Sequence, residues 1–305
     1  MAKQTVDHGA ATAPRQPVAG LINLKNILFA TDFSSCSQTV QSRIASLARR
    51  YEAKVLIAHV VSPRHYPPIP PEAEVLQERT WRDSRRHLEE IAKSKEMMDF
   101  PHEVLLGHGE VDKVLLEMIQ AHDIDLVVVG THGRRGLSRL ALGSVAEGLI
   151  RNSPCPVLTC GPHVPDSESP EFQIHHVLLA TDLPGISPAA LSYALSFAVE
   201  FSARLTVLHV APVSLLNRRQ LQEDLQTRFR AVIPEDVAAW CEPEYVVEPG
   251  DPAGGILRVA DNRQADVLVQ SVRRARGWTS FHIGNILSTV LTQAKCPVLT
   301  VRSVQ

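Results

Sequence analysis

Apolar residues along this chain fall into short unbroken runs, separated by longer stretches in which they recur every three or four positions. Asn26-Ile-Leu-Phe-Ala30, Val55-Leu-Ile-Ala58 and Leu126-Val-Val-Val129 are runs of the first kind. A brief continuous run rich in valine, leucine and isoleucine marks a strand buried on both faces, and such strands belong to parallel sheets. The intervening stretches have the helical period. Ser37 to Tyr51 carries Val40, Ile44, Leu47 and Ala48 on one stripe, and Val111 to Ala121 carries Val114, Leu115, Met118 and Ile119. Glu72 to Lys95 is longer and highly charged. Strand and helix alternate, which predicts an α/β chain wound with helices on both faces of the sheet.

The same pattern is written twice. Asn26-Ile-Leu-Phe-Ala-Thr-Asp32 returns as His176-Val-Leu-Leu-Ala-Thr-Asp182, 150 positions on, and Lys54–Val60 returns as Arg204–Val210 at the same offset. Ser153-Pro-Cys-Pro-Val-Leu-Thr159 returns as Ala294-Lys-Cys-Pro-Val-Leu-Thr300, an offset of 141, so the second copy has a shorter middle. Asp125-Leu-Val-Val-Val-Gly130 is matched by Asp266-Val-Leu-Val-Gln270, which puts Gln270 in the place of Gly130. The proline- and charge-rich stretch from Gly161 to Glu171 marks the connection between copies. The expected division is a leader at 1–21, a first domain at 22–162, a linker at 163–173 and a second domain at 174–305.

At 305 residues and 44% hydrophobic composition the chain can build two cores. The polar, proline-bearing leader has no apolar centre of a signal peptide and is expected to be disordered. All apolar runs are strand-sized, which leaves no membrane partner. A net charge of −2 and a pI near 6.7 give no reason to expect nucleic acid. Five cysteines, scattered at 36, 155, 160, 241 and 296, form no disulfide framework and point to the cytoplasm.

The chemistry gathers after Val129, in G-T-H-G-R-R-G-L-S-R-L-A-L-G-S from Gly130 to Ser144. A buried strand, a glycine turn and a new helix in that order make a cradle for phosphate. Gly133 and Gly143 lack Cβ, so their N–H groups are expected to approach an anion. Ser144 reads as the cap of a capping box with Glu147, ahead of helix amides that favour negative charge. Arg134 and Arg135 add positive charge, and His132 either touches phosphate or faces solvent. The plainer alternative is an ordinary strand–turn–helix junction. Asp32 likewise has two readings, a turn-forming residue opening Phe33-Ser34-Ser35 or a pocket residue. In the second copy Gln270 takes the place of the first glycine and Arg273 of the second, ten residues precede Gly284, and Asn285 replaces the serine. Those side chains should obstruct an anion, although Arg273, Arg274 and Arg276 offer charge alone. His59 and His209 recur at equivalent strand ends, which suggests packing or backbone bonding. Cys155 and Cys296 suggest small buried hydrophobes, and Arg139 and Arg151 solvated helix faces.

On A-T-D at 30–32, H-V at 59–60, the G-x2-G-x9-G-S frame and S-P-C-P-V-L at 153–158, each half resembles a universal stress protein domain. The whole chain is similar to a tandem member of that family. The resemblance implies two doubly wound domains, each a five-stranded parallel sheet in the order 3-2-1-4-5, with a ligand at the switch point between the first and fourth strands. Residue by residue, it implies that Ala30, Thr31 and Asp32 line the pocket and that the Val60 backbone faces adenine. Gly130, Gly133, Gly143, Ser144 and Val145 then match ribose and phosphate positions, with His132 and Arg134 in the loop between. The implied ligand is ATP with Mg²⁺ near Asp32 in the first half, the second half being empty. The implied role is a nucleotide-regulated stress-response module, with slow ATP hydrolysis at most, no catalytic residue and an unknown protein partner. A nucleotide hydrolase or adenylyl-transfer enzyme, and a ligand-free interaction or chaperone-like module, are the alternatives. Single domains of the family dimerise through the last strand. The two halves are therefore expected to pair there as an intramolecular pseudo-dimer, with a homodimer also open.

Overall fold

The computed structural model describes residues 22–63, 72–131, 142–165, 172–182, 185–212, 217–232, 243–272 and 284–303. The first half runs β1 (Asn26–Ala30), α1 (Ser35–Tyr51), β2 (Lys54–Val61), α2 (Glu72–Ala92), β3 (His102–His108), α3 (Val111–Ala121), β4 (Leu126–Gly130), α4 (Ser144–Asn152) and β5 (Val157–Cys160). The second repeats it with β6 (His176–Ala180), α5 (Pro188–Glu200), β7 (Arg204–Ala211), α6 (Arg218–Arg230), β8 (Glu244–Pro249), α7 (Pro252–Asn262), β9 (Val267–Val272), α8 (Asn285–Gln293) and β10 (Val298–Arg302). Helix α1 starts two residues before the apolar stripe suggests, because Ser34 accepts the Ser37 N–H at 3.4 Å and caps it. Helix α2 stops at Ala92, short of Lys95.

Within each half the strands lie parallel in the order 3-2-1-4-5. The halves do not form two separate sheets. Strands β5 and β10 pair antiparallel, Leu158 opposite Leu299, and join them into one sheet of ten strands, β3-β2-β1-β4-β5-β10-β9-β6-β7-β8. Side chains alternate across it. Ile27 and Phe29 enter a core shared with α1, α2, α5 and α6, while Leu28 and Ala30 enter one shared with α3, α4, α7 and α8. Both cores continue through both halves.

Register corrects the alignment of the two copies. Ala30 lies opposite Val129, and its counterpart Ala180 lies opposite Gln270. Gly130 lies opposite Cys160, and Ser271 opposite Val301. Gln270 therefore stands where the first half has Val129, and Ser271, not Gln270, replaces Gly130. The second frame becomes Ser271, two residues, Arg274, nine residues, then Gly284-Asn285, the same length as the first. Gln270 and Ser271 make the end of β9 polar, where β4 stays apolar as far as Val129.

Candidate functional site

The C-terminal ends of β1 and β4 lie side by side and bring residues nearly a hundred positions apart into one switch point. After Ala30 the chain leaves the sheet through a hydrogen-bonded turn. The Thr31 N–H donates to the Ala58 carbonyl at 2.9 Å. Asp32 Oδ1 accepts the Ser34 N–H at 3.1 Å and the Ser37 hydroxyl at 2.8 Å. This carboxylate therefore builds the turn that starts α1, the first of its two readings. Phe33 is held at φ 63°, in the left-handed region few side chains adopt, with its ring 4.3 Å from that of His59 and 5.1 Å from that of His87. His59 Nδ1–H donates to the Thr31 carbonyl at 2.8 Å, and His209 does the same to Thr181 at 3.0 Å. The recurring histidines thus brace the carbonyl before each A-T-D aspartate, a backbone-bonding role.

On the β4 side the organising residue is Thr131, which the sequence reading passed over. It is fully buried. Its N–H and its hydroxyl both donate to the Cys160 carbonyl, at 2.9 and 3.3 Å, and its own carbonyl accepts the Gly143 N–H at 2.8 Å. A Cβ on Gly143 would stand 2.7 Å from that carbonyl. Glycine is required here by the approach of the protein's own backbone, and the Gly143 N–H is engaged rather than offered to an anion. The only sequence signal for Thr131 was its place directly after the first glycine.

The expected capping box is absent. Gly143 is the cap of α4, with no side-chain cap bond, and Ser144 is the first helical residue. The Glu147 N–H closes the first turn on the Gly143 carbonyl at 2.9 Å, and the Glu147 carboxylate pairs with Arg151 one turn on. Arg151 is therefore a half-buried ion-pair partner rather than a freely solvated side chain. The first amides of a helix have no intrahelical acceptor. Those of Ser144, Val145 and Ala146 consequently point outward from α4, and their cap residue Gly143 brings no side chain to cap them, beside the end of β4. Ala30, Thr31 and Val60 are buried, and Asp32, Gly130 and Val145 are half-buried. The structure brings Ala30–Asp32, Gly130 and Gly143–Val145 together, with Val60 on the adjoining strand β2. His132, Gly133 and Arg134 lie outside the described residues.

The second switch point differs in two ways. Gln270 is buried, and its Oε1 has no hydrogen-bond partner among the described residues. Gly284 caps α8 as Gly143 caps α4, yet a Cβ on it would meet nothing among the described residues within 4 Å. Elsewhere, burial pushes the Cys155 thiol up to about 11 and that of Cys296 up to about 12, which keeps both neutral. Among the described residues no three His, Cys, Asp or Glu side chains gather as a metal site, and no helix is long and apolar enough to cross a membrane.

The universal stress protein family model matches residues 23–161 and again 173–302. A universal stress protein of Mycolicibacterium smegmatis is 29% identical over 296 residues, 90% of this chain and 96% of its own length. One of Methanocaldococcus jannaschii is 30% identical over 136 residues, 44% of this chain and 80% of its own length. In structure, a universal stress protein of Archaeoglobus fulgidus superposes with a TM-score of 0.69 at 19% identity, covering 92% of this chain and 98% of that one, which establishes a shared fold. With two matched segments that span most of its length, the protein belongs to the universal stress protein family as a tandem, two-domain member.

Proposed function

We propose that the first switch point binds an adenine nucleotide, ATP foremost, and that this ligand regulates the protein rather than serving as a turnover substrate. One observation carries the reading. The N-terminus of α4, whose glycine cap offers no side chain, is fastened to the end of β4 by the Gly143–Thr131 bond, beside the turn that Asp32 builds. Amides of a helix N-terminus bind phosphate through hydrogen bonds and the helix dipole. The buried apolar ends of β1 and β2, at Ala30 and Val60, suit a base. Magnesium is commonly held by one or two carboxylates plus phosphate oxygens. Asp32 would supply that carboxylate and a triphosphate the remainder, so the ion arrives with the nucleotide.

The second half, taken as 174–305, is assigned no triphosphate. In sequence Ser271 and Arg274 stand in place of Gly130 and Gly133, so that half lacks the bare-backbone frame, and the buried Gln270 replaces an apolar Val129. The nucleotide state of the first half, 22–162, would be read by a protein partner. Three unbridged cysteines among the described residues suit the reducing cytoplasm.

The test is Ser144→Asp. A carboxylate in the first helical turn is favourable to the helix by about 0.3–1 kcal/mol, but it repels phosphate and competes for the same amides. Calorimetric titration with MgATP is expected to show at least a tenfold loss of affinity, with the melting temperature unchanged or raised. Wild-type affinity in the variant contradicts the proposed site.

A further inference from the structure

The two halves handle one carbonyl differently, and the difference traces to a proline. Counterparts by register are Thr131 and Val272, at the ends of β4 and β9, and Pro162 and Ser303, just past the ends of β5 and β10. In the second half the ladder runs on. Val272 pairs with Arg302, and the Ser303 N–H donates to the Val272 carbonyl at 3.0 Å. In the first half the corresponding donor would be the N–H of Pro162, which proline lacks. Pairing stops at Gly130–Cys160, and the Thr131 carbonyl accepts the Gly143 N–H at 2.8 Å instead. The consequence is visible at the two helix caps. Gly143 lies so close to Thr131 that a Cβ would be 2.7 Å from its carbonyl, while among the described residues no atom lies within 4 Å of that position at Gly284.

We propose that Pro162 is a positioning residue for the first switch point. By withholding a donor from the β5 ladder, it leaves the Thr131 carbonyl to fasten Gly143, and so fixes the N-terminus of α4 against β4. Ser303 takes up the same carbonyl in the second half, and among the described residues α8 has no such bond to β9. A proline just past a strand ordinarily serves only to end it. Here its missing hydrogen redirects an acceptor to the helix whose amides face the ligand. The bearing on nucleotide affinity rests on the function proposed above; the bearing on Gly143 does not.

The experiment is amide hydrogen exchange of the intact, ligand-free chain, read by NMR at Gly143 and Gly284, for wild type, Pro162→Ser, Pro162→Ala and Ser303→Pro. Both substitutions at 162 restore an N–H, and the Gly143 amide is expected to exchange at least tenfold faster. Ser303→Pro removes one, and the Gly284 amide is expected to exchange more slowly. Slow Gly143 exchange in both folded Pro162 variants overturns the proposal. So does Gly284 exchange that is unchanged in Ser303→Pro, an arm that holds even where the Pro162 variants fail to fold. A parallel MgATP titration is expected to show a five- to tenfold weaker site in Pro162→Ser. If the wild type binds no ATP, the nucleotide reading fails, and the Gly143 and Gly284 rates still decide the role of Pro162. If Gly143 loosens while affinity holds, the fastening stands and its contribution to the ligand site is refuted.

Discussion

A methyl group added at Gly143 would lie 2.7 Å from the Thr131 carbonyl, closer than a carbon and an oxygen tolerate, whereas one added at Gly284 would meet no described residue within 4 Å. Both glycines cap a nine-residue helix at ordinary negative φ, near −63°. The change in capping preference and in unfolded-chain entropy on replacement by alanine is therefore common to both. What remains is the steric cost, and Gly143→Ala should lose about 1–3 kcal/mol more stability than Gly284→Ala. Urea midpoints of the two variants measure this directly; equal losses would mean that Gly143 is not seated on Thr131. The glycine itself was legible in the sequence, but the reason for it was not. A G-x2-G-x9-G frame suggests room for a ligand, and nothing in it says that the last N–H already has a partner in the chain.

Among elements, strands and helices were legible wherever packing alone dictates them. Continuous apolar runs gave β1, β2 and β4, and the stripe of Val114, Leu115, Met118 and Ile119 marked α3 at its observed ends. Ends and registers were misread where a polar group sits against expectation. Gln270 and Ser271 make the end of β9 polar, where β4 stays apolar as far as Val129, and the copies slipped by one residue. Ser144-Val-Ala-Glu147 fits a capping box, but Gly143, drawn in by Thr131, takes the cap position and moves the serine into the helix. Asp32 belongs to this scale too, because its Oδ1 ties Ser34 and Ser37 at the start of α1. Asp32→Ala should cost about 1–2 kcal/mol, as loss of a helix-start acceptor does. Asp32→Asn keeps an acceptor oxygen and should remain within about 0.5 kcal/mol of wild type. The same Asn variant should bind MgATP more weakly while leaving metal-free ATP little affected. Equal weakening of both would remove Asp32 from the magnesium account.

In the whole molecule, the first site leans on the second half. Gly161 is buried, and a Cβ on it would stand 3.0 Å from the Leu291 carbonyl of α8 and 3.7 Å from Thr131 Oγ1. Across the β5–β10 seam, Thr159 donates to the Val298 carbonyl at 3.1 Å, and Thr300 returns the bond to Val157 at 3.0 Å. Helices α1 and α5 meet on one face through the Tyr51 and Phe197 rings and the Arg50–Glu200 pair. With both cores continuous through the halves, thermal unfolding should be one cooperative transition whose calorimetric and van't Hoff enthalpies agree. Two resolved transitions would show that the halves stand alone. The repeat in sequence announced two copies, but not that they share their cores, since a repeat says nothing about what lies between its units. Isothermal titration of the intact chain with MgATP tests the central claim most directly. Binding of one nucleotide per chain, abolished by a change confined to the first half such as Ser144→Asp, is the predicted result. Two equivalent nucleotides per chain, or none, would contradict it.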